Sequence, residues 1–153
     1  MTSLRENIKK SLDDNLKKRD DIATATLRLI LAAVKDSDIE NRTKKKGDTI
    51  SDQQILLLLQ NMVKQRKQSI IQYEEGGRIE LAEREREEIK IIQEFLPNQL
   101  TNDEIQAEIS KIIDAEDQLS IKDMGKIMGE LKNKFSGRMD FGKASEIVKA
   151  LLK

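Results

Sequence analysis

Six cationic side chains lie within 22 residues near the end of the chain, and cations at this density could contact phosphate groups. Three Phe, one Tyr and no Trp provide few aromatic rings for stacking on single-stranded bases. The composition therefore favours a structured RNA, read through its shape and its phosphates. It leaves open that the cations only form a solvated helix surface. The six are Lys122, Lys126, Lys132, Lys134, Arg138 and Lys143.

Two glycines, Gly125 and Gly129, lie among these cations at a spacing that places them on one face of a helix. A glycine inside a helix costs about 1 kcal/mol relative to alanine, so two of them require a reason. One reason is the close approach of a neighbouring helix of the same chain. The other is the close approach of a partner's backbone, such as that of a nucleic acid. The sequence alone leaves both interpretations open.

Groups that could catalyse a reaction are scarce. Without His or Cys the chain lacks the Ser-His and Cys-His pairs of nucleophilic catalysis and the usual base that titrates near neutral pH, which leaves a Ser-Lys dyad as the one formal possibility. Ser136, which precedes a glycine, is interpreted as part of a helix connector. Glu80, Glu83 and Glu87 share one side of a predicted helix, but a carboxylate metal site in a bundle also uses histidine. We interpret them as an exposed, ion-paired face, and we predict no catalytic residue, no metal site and no cofactor.

The segments that carry these residues are predicted to be helices. Ser3, Ser51 and Thr101 each have Glu or Gln three residues later, which is the capping-box pattern of a helix start. Apolar residues recur at spacings of three and four, and no segment alternates apolar and polar residues as a strand would. Pro97, the single proline, ends the fourth helix. The prediction is an all-α protein, with an N-terminal bundle of long helices over residues 1–97 and a compact three-helix module over residues 98–153.

The location of the protein is predicted from two further features of the sequence. No stretch approaches the roughly 18 apolar residues that a membrane-spanning helix needs. Residues 1–10 have no apolar segment behind a basic start, so they do not read as a signal peptide. We therefore expect a cytoplasmic protein without a membrane partner.

Several motifs together resemble the GatB/YqeY family. Residues 96–101, LPNQLT, resemble the LPxQL entry to the C-terminal helical module of that family. Residues 123–129, DMGKIMG, resemble its DMGKVMG helix, and residues 137–140, GRMD, resemble its closing segment. Upstream segments match the stand-alone YqeY-like members. They are LR at 27–28, AVK at 33–35, KQRK at 64–67, GGR at 76–78 and LAE at 81–83.

The resemblance implies a role in tRNA binding. The C-terminal module is similar to the tail domain of GatB, the tRNA-contacting element of a tRNA-dependent amidotransferase whose chemistry lies in other domains and subunits. It implies a tRNA-binding accessory protein that is not catalytic alone. Carbon–nitrogen ligation with glutamine as amido donor is associated with this chain only through the family resemblance. Its expected partners are tRNA, an amidotransferase or other translation proteins. The positions that match the basic motif are Lys126, Lys132, Arg138 and Lys143, with Gly125 and Gly129 permitting close approach.

One departure and one alternative stand beside this resemblance. Phe141 separates Asp140 from Gly142 where the family usually has Asp followed directly by Gly or Pro, which puts the shape of that turn in question. The alternative function is a helical protein–protein interaction or oligomerisation module. Its docking face would be the apolar stripe of the first helix. That stripe consists of Leu4, Ile8, Leu12 and Leu16.

Overall fold

A computed structural model describes the protein over residues 3–45, 47–116 and 119–152. Within these ranges it has seven α-helices, a short 3-10 helix at Ile121–Asp123 and no strand, so the predicted all-α class is confirmed. The helices are α1 (Leu4–Lys18), α2 (Asp21–Thr43), α3 (Asp52–Glu75), α4 (Ile79–Gln93), α5 (Asn102–Ala115), α6 (Met124–Lys134) and α7 (Phe141–Leu151).

Side-chain caps begin the helices where the sequence predicts them. The Ser51 hydroxyl accepts the N–H of Gln54 at 3.2 Å, and the Gln54 side chain accepts the N–H of Ser51 at 2.8 Å. Thr101 and Glu104 make the same reciprocal pair at the start of α5. At α1 the serine half is present, since Ser3 accepts the N–H of Glu6 at 3.2 Å. Each cap satisfies backbone donors that would otherwise be unpaired in the first helical turn.

The chain divides into two compact units, Met1–Leu96 and Pro97–Lys153. The first contains α1 to α4, and its apolar core takes buried side chains from all four helices and from the connection between α2 and α3. That these units are independent domains at 1–97 and 98–153 stays a prediction. The core of the first unit consists of Ile8, Leu27, Ile30, Val34, Ile50, Ile55, Leu59, Met62, Val63, Ile89 and Ile92.

The apolar stripe of α1 belongs to this core. Ile8 is fully buried, and Leu4 and Leu12 are partly buried and pack against the same cluster. Leu16 alone of the four is exposed, at 44%. The interpretation of this stripe as a docking face is wrong, because burying it inside the bundle already removes its apolar surface from water.

A buried ion pair fastens α1 to α2, and its carboxylate also binds the connection between α2 and α3. Both terminal nitrogens of Arg5 donate to the carboxylate of Asp38, at 2.8 and 2.9 Å. Asp38 also accepts the N–H of Ile50 at 2.8 Å. The hydrogen bond from Arg5 is the largest influence on Asp38 and holds the pKa of its carboxyl below the usual 3.8, since these donors favour the charged form.

Charged side chains also connect α3 to α4. Arg66 donates to the buried carboxylate of Glu88 at 3.1 Å, and Arg84 reaches the other oxygen of Glu88 at 3.3 Å. Burial, with the nearby charge of Glu88, raises the pKa of the Glu85 carboxyl. Arg86 pairs with Glu83 and, across the helix pair, with Glu74. The α3–α4 pair is therefore held by a layer of ion pairs as well as by its apolar core.

The second unit contains α5 to α7 and the 3-10 helix. Its core is apolar, and Ile109, Leu131 and Met139 are among its fully buried side chains. The segment that enters the unit is fastened to the turn between α6 and α7. The N–H of Leu100 donates to the carbonyl of Arg138 at 2.7 Å, and the Gln99 side chain donates to the carbonyl of Gly137. Two of the motif segments that carried the family resemblance, 96–101 and 137–140, thus touch each other.

Two kinds of feature are absent from the part of the chain that the structure describes. No helix there is long and apolar enough to cross a membrane. Over the same ranges, no group of three or more Asp or Glu side chains is arranged to hold a metal ion. Glu80, Glu83 and Glu87 are all exposed, as predicted, and Glu83 forms the ion pair with Arg86.

Candidate nucleic-acid interface

The outer face of α6 combines two glycines with two lysines. Successive residues of an α-helix are rotated by about 100°, so Gly125 and Gly129 lie side by side on this face. By the same rotation Lys132 lies on one side of the glycines and Lys126 on the other. The opposite face of α6 carries Ile127 and Leu131, which are buried in the second core. We call the outer set, Gly125, Gly129, Lys126 and Lys132, the α6 strip.

The glycines of the α6 strip face open space. A Cβ atom built on Gly125 or Gly129 would meet no atom within 4 Å outside the helix's own backbone. Both have ordinary helical backbone angles, so neither glycine is needed for a left-handed turn. The interpretation that a neighbouring helix of this chain requires them is therefore wrong for the described residues. What the glycines provide is bare helix backbone that an outside group can approach.

Lys126 is held by a carboxylate from the end of α5. Its ammonium lies 2.9 and 3.0 Å from the two oxygens of Glu116. This hydrogen bond, and the charge of Glu116, raise the pKa of Lys126, so the side chain is cationic throughout the physiological range. Both side chains are largely solvent-exposed. An exposed pair of this kind is weak, so a phosphate can replace Glu116 as the partner of Lys126.

Lys132 and Lys134 extend the positive charge into the last turn of α6. Both are exposed, and their charge is favoured there by the partial negative charge of the helix C-terminus. The ammonium of Lys134 also lies 5.8 Å from the centre of the Phe135 ring. Lys122, in the 3-10 helix, is exposed as well. These positions fit contacts with an extended anion that follows the helix.

Arg138 has a structural role that its motif did not reveal. Its Nε donates to the carbonyl of Asn98 at 3.0 Å, and its own carbonyl accepts the N–H of Leu100. Arg138 therefore fastens the entry segment of the second unit to the turn before α7. The sequence indicated this structural role of Arg138 only through two motifs, residues 96–101 and 137–140, which are distant in the chain but meet at these bonds.

Lys143 lies in the first turn of α7 with its side chain exposed. The backbone amides of that turn are occupied, since Asp140 accepts the N–H of Gly142 at 2.9 Å and that of Lys143 at 3.3 Å. A phosphate near Lys143 would therefore contact its ammonium and not the helix terminus. Phe141 starts α7 and packs against the second core, so the insertion leaves a well-capped helix start.

The structure thus brings four of the six predicted contact residues onto one helix face, and it places Arg138 and Lys143 on the next turn and helix. That any of the six contacts RNA stays a prediction.

Comparison with known proteins identifies the family. The family model described as Yqey-like protein matches residues 5–152, nearly the whole chain, so the chain belongs to the Yqey-like family, as its motifs predicted. An uncharacterized protein of Schizosaccharomyces pombe is 33% identical over 100 residues, which cover 65% of this chain and 77% of that protein.

Two further relatives carry the name altered inheritance of mitochondria protein 41, mitochondrial. The one from Lachancea thermotolerans is 31% identical over 110 residues, covering 70% of this chain and 56% of its own length. The one from Vanderwaltozyma polyspora is 32% identical over 90 residues, covering 58% of this chain and 46% of its own length. The chain thus spans about half the length of these two relatives. Because their names place them in mitochondria, a cytoplasmic location of this chain stays a prediction.

Proposed function

We propose that this member of the Yqey-like family is a tRNA-binding accessory protein related to tRNA-dependent amidotransferases, and that the α6 strip is its main contact with the RNA. The observation that carries the proposal is the open glycine surface between two lysines. Gly125 and Gly129 each cost about 1 kcal/mol of helix stability, and the described fold makes no use of them. A partner that needs the bare backbone accounts for both.

The shape of the strip suits a phosphate backbone. With no side chain on Gly125 or Gly129, an RNA strand can approach the helix more closely than at any position that carries a Cβ. Lys126 and Lys132, on either side, then reach phosphates on both sides of the glycines. Such contacts read the position of phosphates and 2′-hydroxyls and not the bases, which agrees with the scarcity of aromatic residues in the chain.

In this proposal the chain binds tRNA, and a partner enzyme catalyses the reaction. Its module resembles the tail of an amidotransferase subunit, and transfer of the amide nitrogen from glutamine would take place on that partner enzyme. The proposed role is to hold or present the tRNA to that enzyme.

A titration of labelled bulk tRNA, followed by fluorescence anisotropy, tests the proposal. We expect binding that weakens steeply between about 50 and 200 mM salt, because each neutralised phosphate releases counterions. The variant Lys126→Gln/Lys132→Gln should weaken binding and lower the slope of log K against log salt by about two, which is about one for each lysine that no longer neutralises a phosphate. The variant Lys9→Gln/Lys10→Gln, on exposed positions of α1, removes the same charge and serves as the control.

Two results would contradict the proposal. One is the absence of binding by the wild type at the lower salt concentration. The other is an equal effect of the α6 and α1 variants, which would mean that tRNA responds to overall charge and not to the α6 strip.

A further inference from the structure

The helix α2 is apolar on the side that faces away from the core as well as on the side that faces it. Ten of the thirteen residues from 22 to 34 are apolar, and Arg28 is the only charged one. The inner side, with Leu27, Ile30 and Val34, is buried in the first core. A surface helix ordinarily carries polar residues on its outer side, and a helix that is apolar all round is usually covered all round. The outer side of α2 is therefore a face that a partner could cover.

The outer residues of α2 recur at alternating spacings of three and four. This spacing makes one nearly straight line along a helix, as in the seam of a coiled coil. Leu29 and Ile39 in this line are 50% and 48% exposed, and Ala32 and Asp36 are exposed as well. The first two residues of the line are partly exposed. We call this line the α2 seam, and it consists of Ile22, Ala25, Leu29, Ala32, Asp36 and Ile39.

The packing inside the first unit leaves the middle of the α2 seam open. The helices α1, α3 and α4 all pack against α2, and they leave Leu29 half exposed and Ala32 exposed. Removing such apolar surface from water is favourable, so a contact that buries the seam would be stabilising. The distance between two packed helices depends on the side chains at the contact, and the alanines at 25 and 32 allow a close approach.

The α2 seam is complementary to itself in size. In an antiparallel pair of α2 helices with a two-fold axis between residues 30 and 31, Leu29 of one copy meets Ala32 of the other. Ile22 then meets Ile39 at both ends of the contact. A leucine opposite an alanine fills the space that the small side chain leaves, as close packing requires. The two-fold axis repeats each of these contacts, so one helix face serves both copies.

The charges beside the seam favour the antiparallel direction. Asp21 and Arg42 lie on the same edge of the seam, three heptads apart, so Asp21 of one copy lies near Arg42 of the other. Arg28 and Lys35 bring like charges together on that edge near the axis, and their long side chains can turn to solvent. A parallel pair would place Asp36 beside Asp36 of the second copy, whereas the antiparallel pair places it opposite an alanine. The antiparallel pair is therefore the favoured one.

We propose that the first unit mediates self-association, in which the α2 seam pairs with the α2 seam of a second copy in antiparallel orientation. A second copy is favoured over an unrelated protein, because the seam matches itself both in size and in the charges at its ends. The apolar side chains of the seam give a nucleic acid no group that holds a phosphate. This face takes the oligomerisation role that the sequence suggested for the stripe of α1. The inference does not depend on the proposed RNA contact, which lies in the other unit.

Sedimentation velocity of the full chain, from about 1 to 100 μM, tests the proposal. The wild type should shift from monomer to dimer with concentration, and its dissociation constant should change little between about 50 and 200 mM salt, because apolar contacts are not screened. Leu29→Glu should weaken association by about tenfold or more, since it removes a buried leucine and puts a carboxylate in the seam. Ala32→Gln, whose larger side chain holds the helices apart, should weaken it as well. Ile71→Glu, at a comparably exposed position of α3, is the control and should associate like the wild type.

A gain of affinity tests the antiparallel arrangement. Arg28→Glu replaces a cation that lies near Lys35 of the second copy, so this variant should associate a few-fold more tightly at low salt. Within its own helix the new carboxylate has no lysine or arginine three or four residues away. Lys9→Glu, at an exposed position of α1, makes the same change in charge and is the control, which should associate like the wild type.

Four results would overturn the proposal. The first two are a wild type that stays monomeric at the highest concentration and a dimer that survives both seam variants. The third is an Ile71→Glu variant that loses as much affinity as Leu29→Glu does. The fourth is an Arg28→Glu variant that associates no more tightly than Lys9→Glu. Circular dichroism of every variant checks that its helices are intact.

Discussion

The two units of the chain use their charged residues in different ways. The first unit buries two charged side chains, Asp38 and Glu88, whose arginine partners connect its helices. Among the described residues of the second unit no charged side chain is buried, and its core is apolar. Its cations lie outside, beside two glycines that leave helix backbone open. The comparison indicates that buried charge contributes to stability in the first unit, whereas the cations of the second unit stay at its surface, where we propose that they contact RNA.

The largest effect is expected from the buried ion pair of the first unit. Asp38→Ala leaves Arg5 without its partner and the N–H of Ile50 without an acceptor, so we expect the free energy of unfolding to fall by about 2–4 kcal/mol. Tyr73, the single tyrosine, lies in α3, and its fluorescence during urea unfolding reports on the first unit. Asp36→Ala, at an exposed position of the same helix, is the control and should change little.

Lowering the pH should remove the stabilisation that the ion pair of Arg5 and Asp38 contributes. The pKa of Asp38 is lowered in the folded state, so its stabilisation is complete above the ordinary value of 3.8. Below pH 3.8 the unfolded chain takes up a proton before the folded chain does, and the stabilisation declines as the pH falls through the lowered pKa. The difference in unfolding free energy between wild type and Asp38→Asn should therefore be constant near neutral pH and shrink in acid. A difference that grows in acid would contradict this assignment.

Arg138 could contribute either to the stability of the second unit or to RNA binding, and one substitution distinguishes the two roles. Arg138→Gln removes the bond from Nε to the carbonyl of Asn98, so we expect the stability of the second unit to fall by about 0.5–1.5 kcal/mol, measured from hydrogen exchange of the α6 amides. We expect tRNA affinity to fall less than in Lys132→Gln, because Arg138 acts mainly within the fold. A reduced affinity with unchanged hydrogen exchange would instead assign Arg138 to the RNA interface.

The smallest effect is expected on tRNA affinity, from a substitution of Glu116, the partner of Lys126. Glu116→Gln removes the carboxylate that competes with a phosphate for this lysine, so tRNA should bind a few-fold more tightly at low salt and the gain should fade at high salt. Glu108→Gln is the matched control, since Glu108 pairs with Lys111 on the same helix. Equal gains in both variants would reflect net charge alone.

Much of the fold could be predicted from the sequence because its signals are local. The capping pairs Ser51–Gln54 and Thr101–Glu104 span three residues, and the single proline after α4 is visible by itself. The 3-10 helix was less predictable, since Ser120 and Asp123 form a capping pair but α6 begins only at Met124.

The features that could not be predicted depend on residues that are distant in the chain. Arg5 and Asp38 are separated by 33 positions, and nothing near Asp38 distinguishes it from the exposed Asp36. The docking interpretation of the α1 stripe failed for the same reason, because an apolar stripe does not show what covers it. Gly125 and Gly129 were recognised as unusual from the sequence, but only the packing showed that no described residue of the second unit lies against them.

The variant Gly125→Ala/Gly129→Ala tests the central claim most directly. Both added methyl groups meet open space, so hydrogen exchange should show α6 more stable by about 1 kcal/mol for each substitution. The same methyl groups would hold an RNA backbone away from the helix, so tRNA affinity should fall by about tenfold, or about 1.4 kcal/mol. A more stable protein that binds tRNA more weakly is the predicted result. A more stable protein with unchanged affinity would show that the glycines do not serve RNA binding and would contradict the proposed role of the α6 strip.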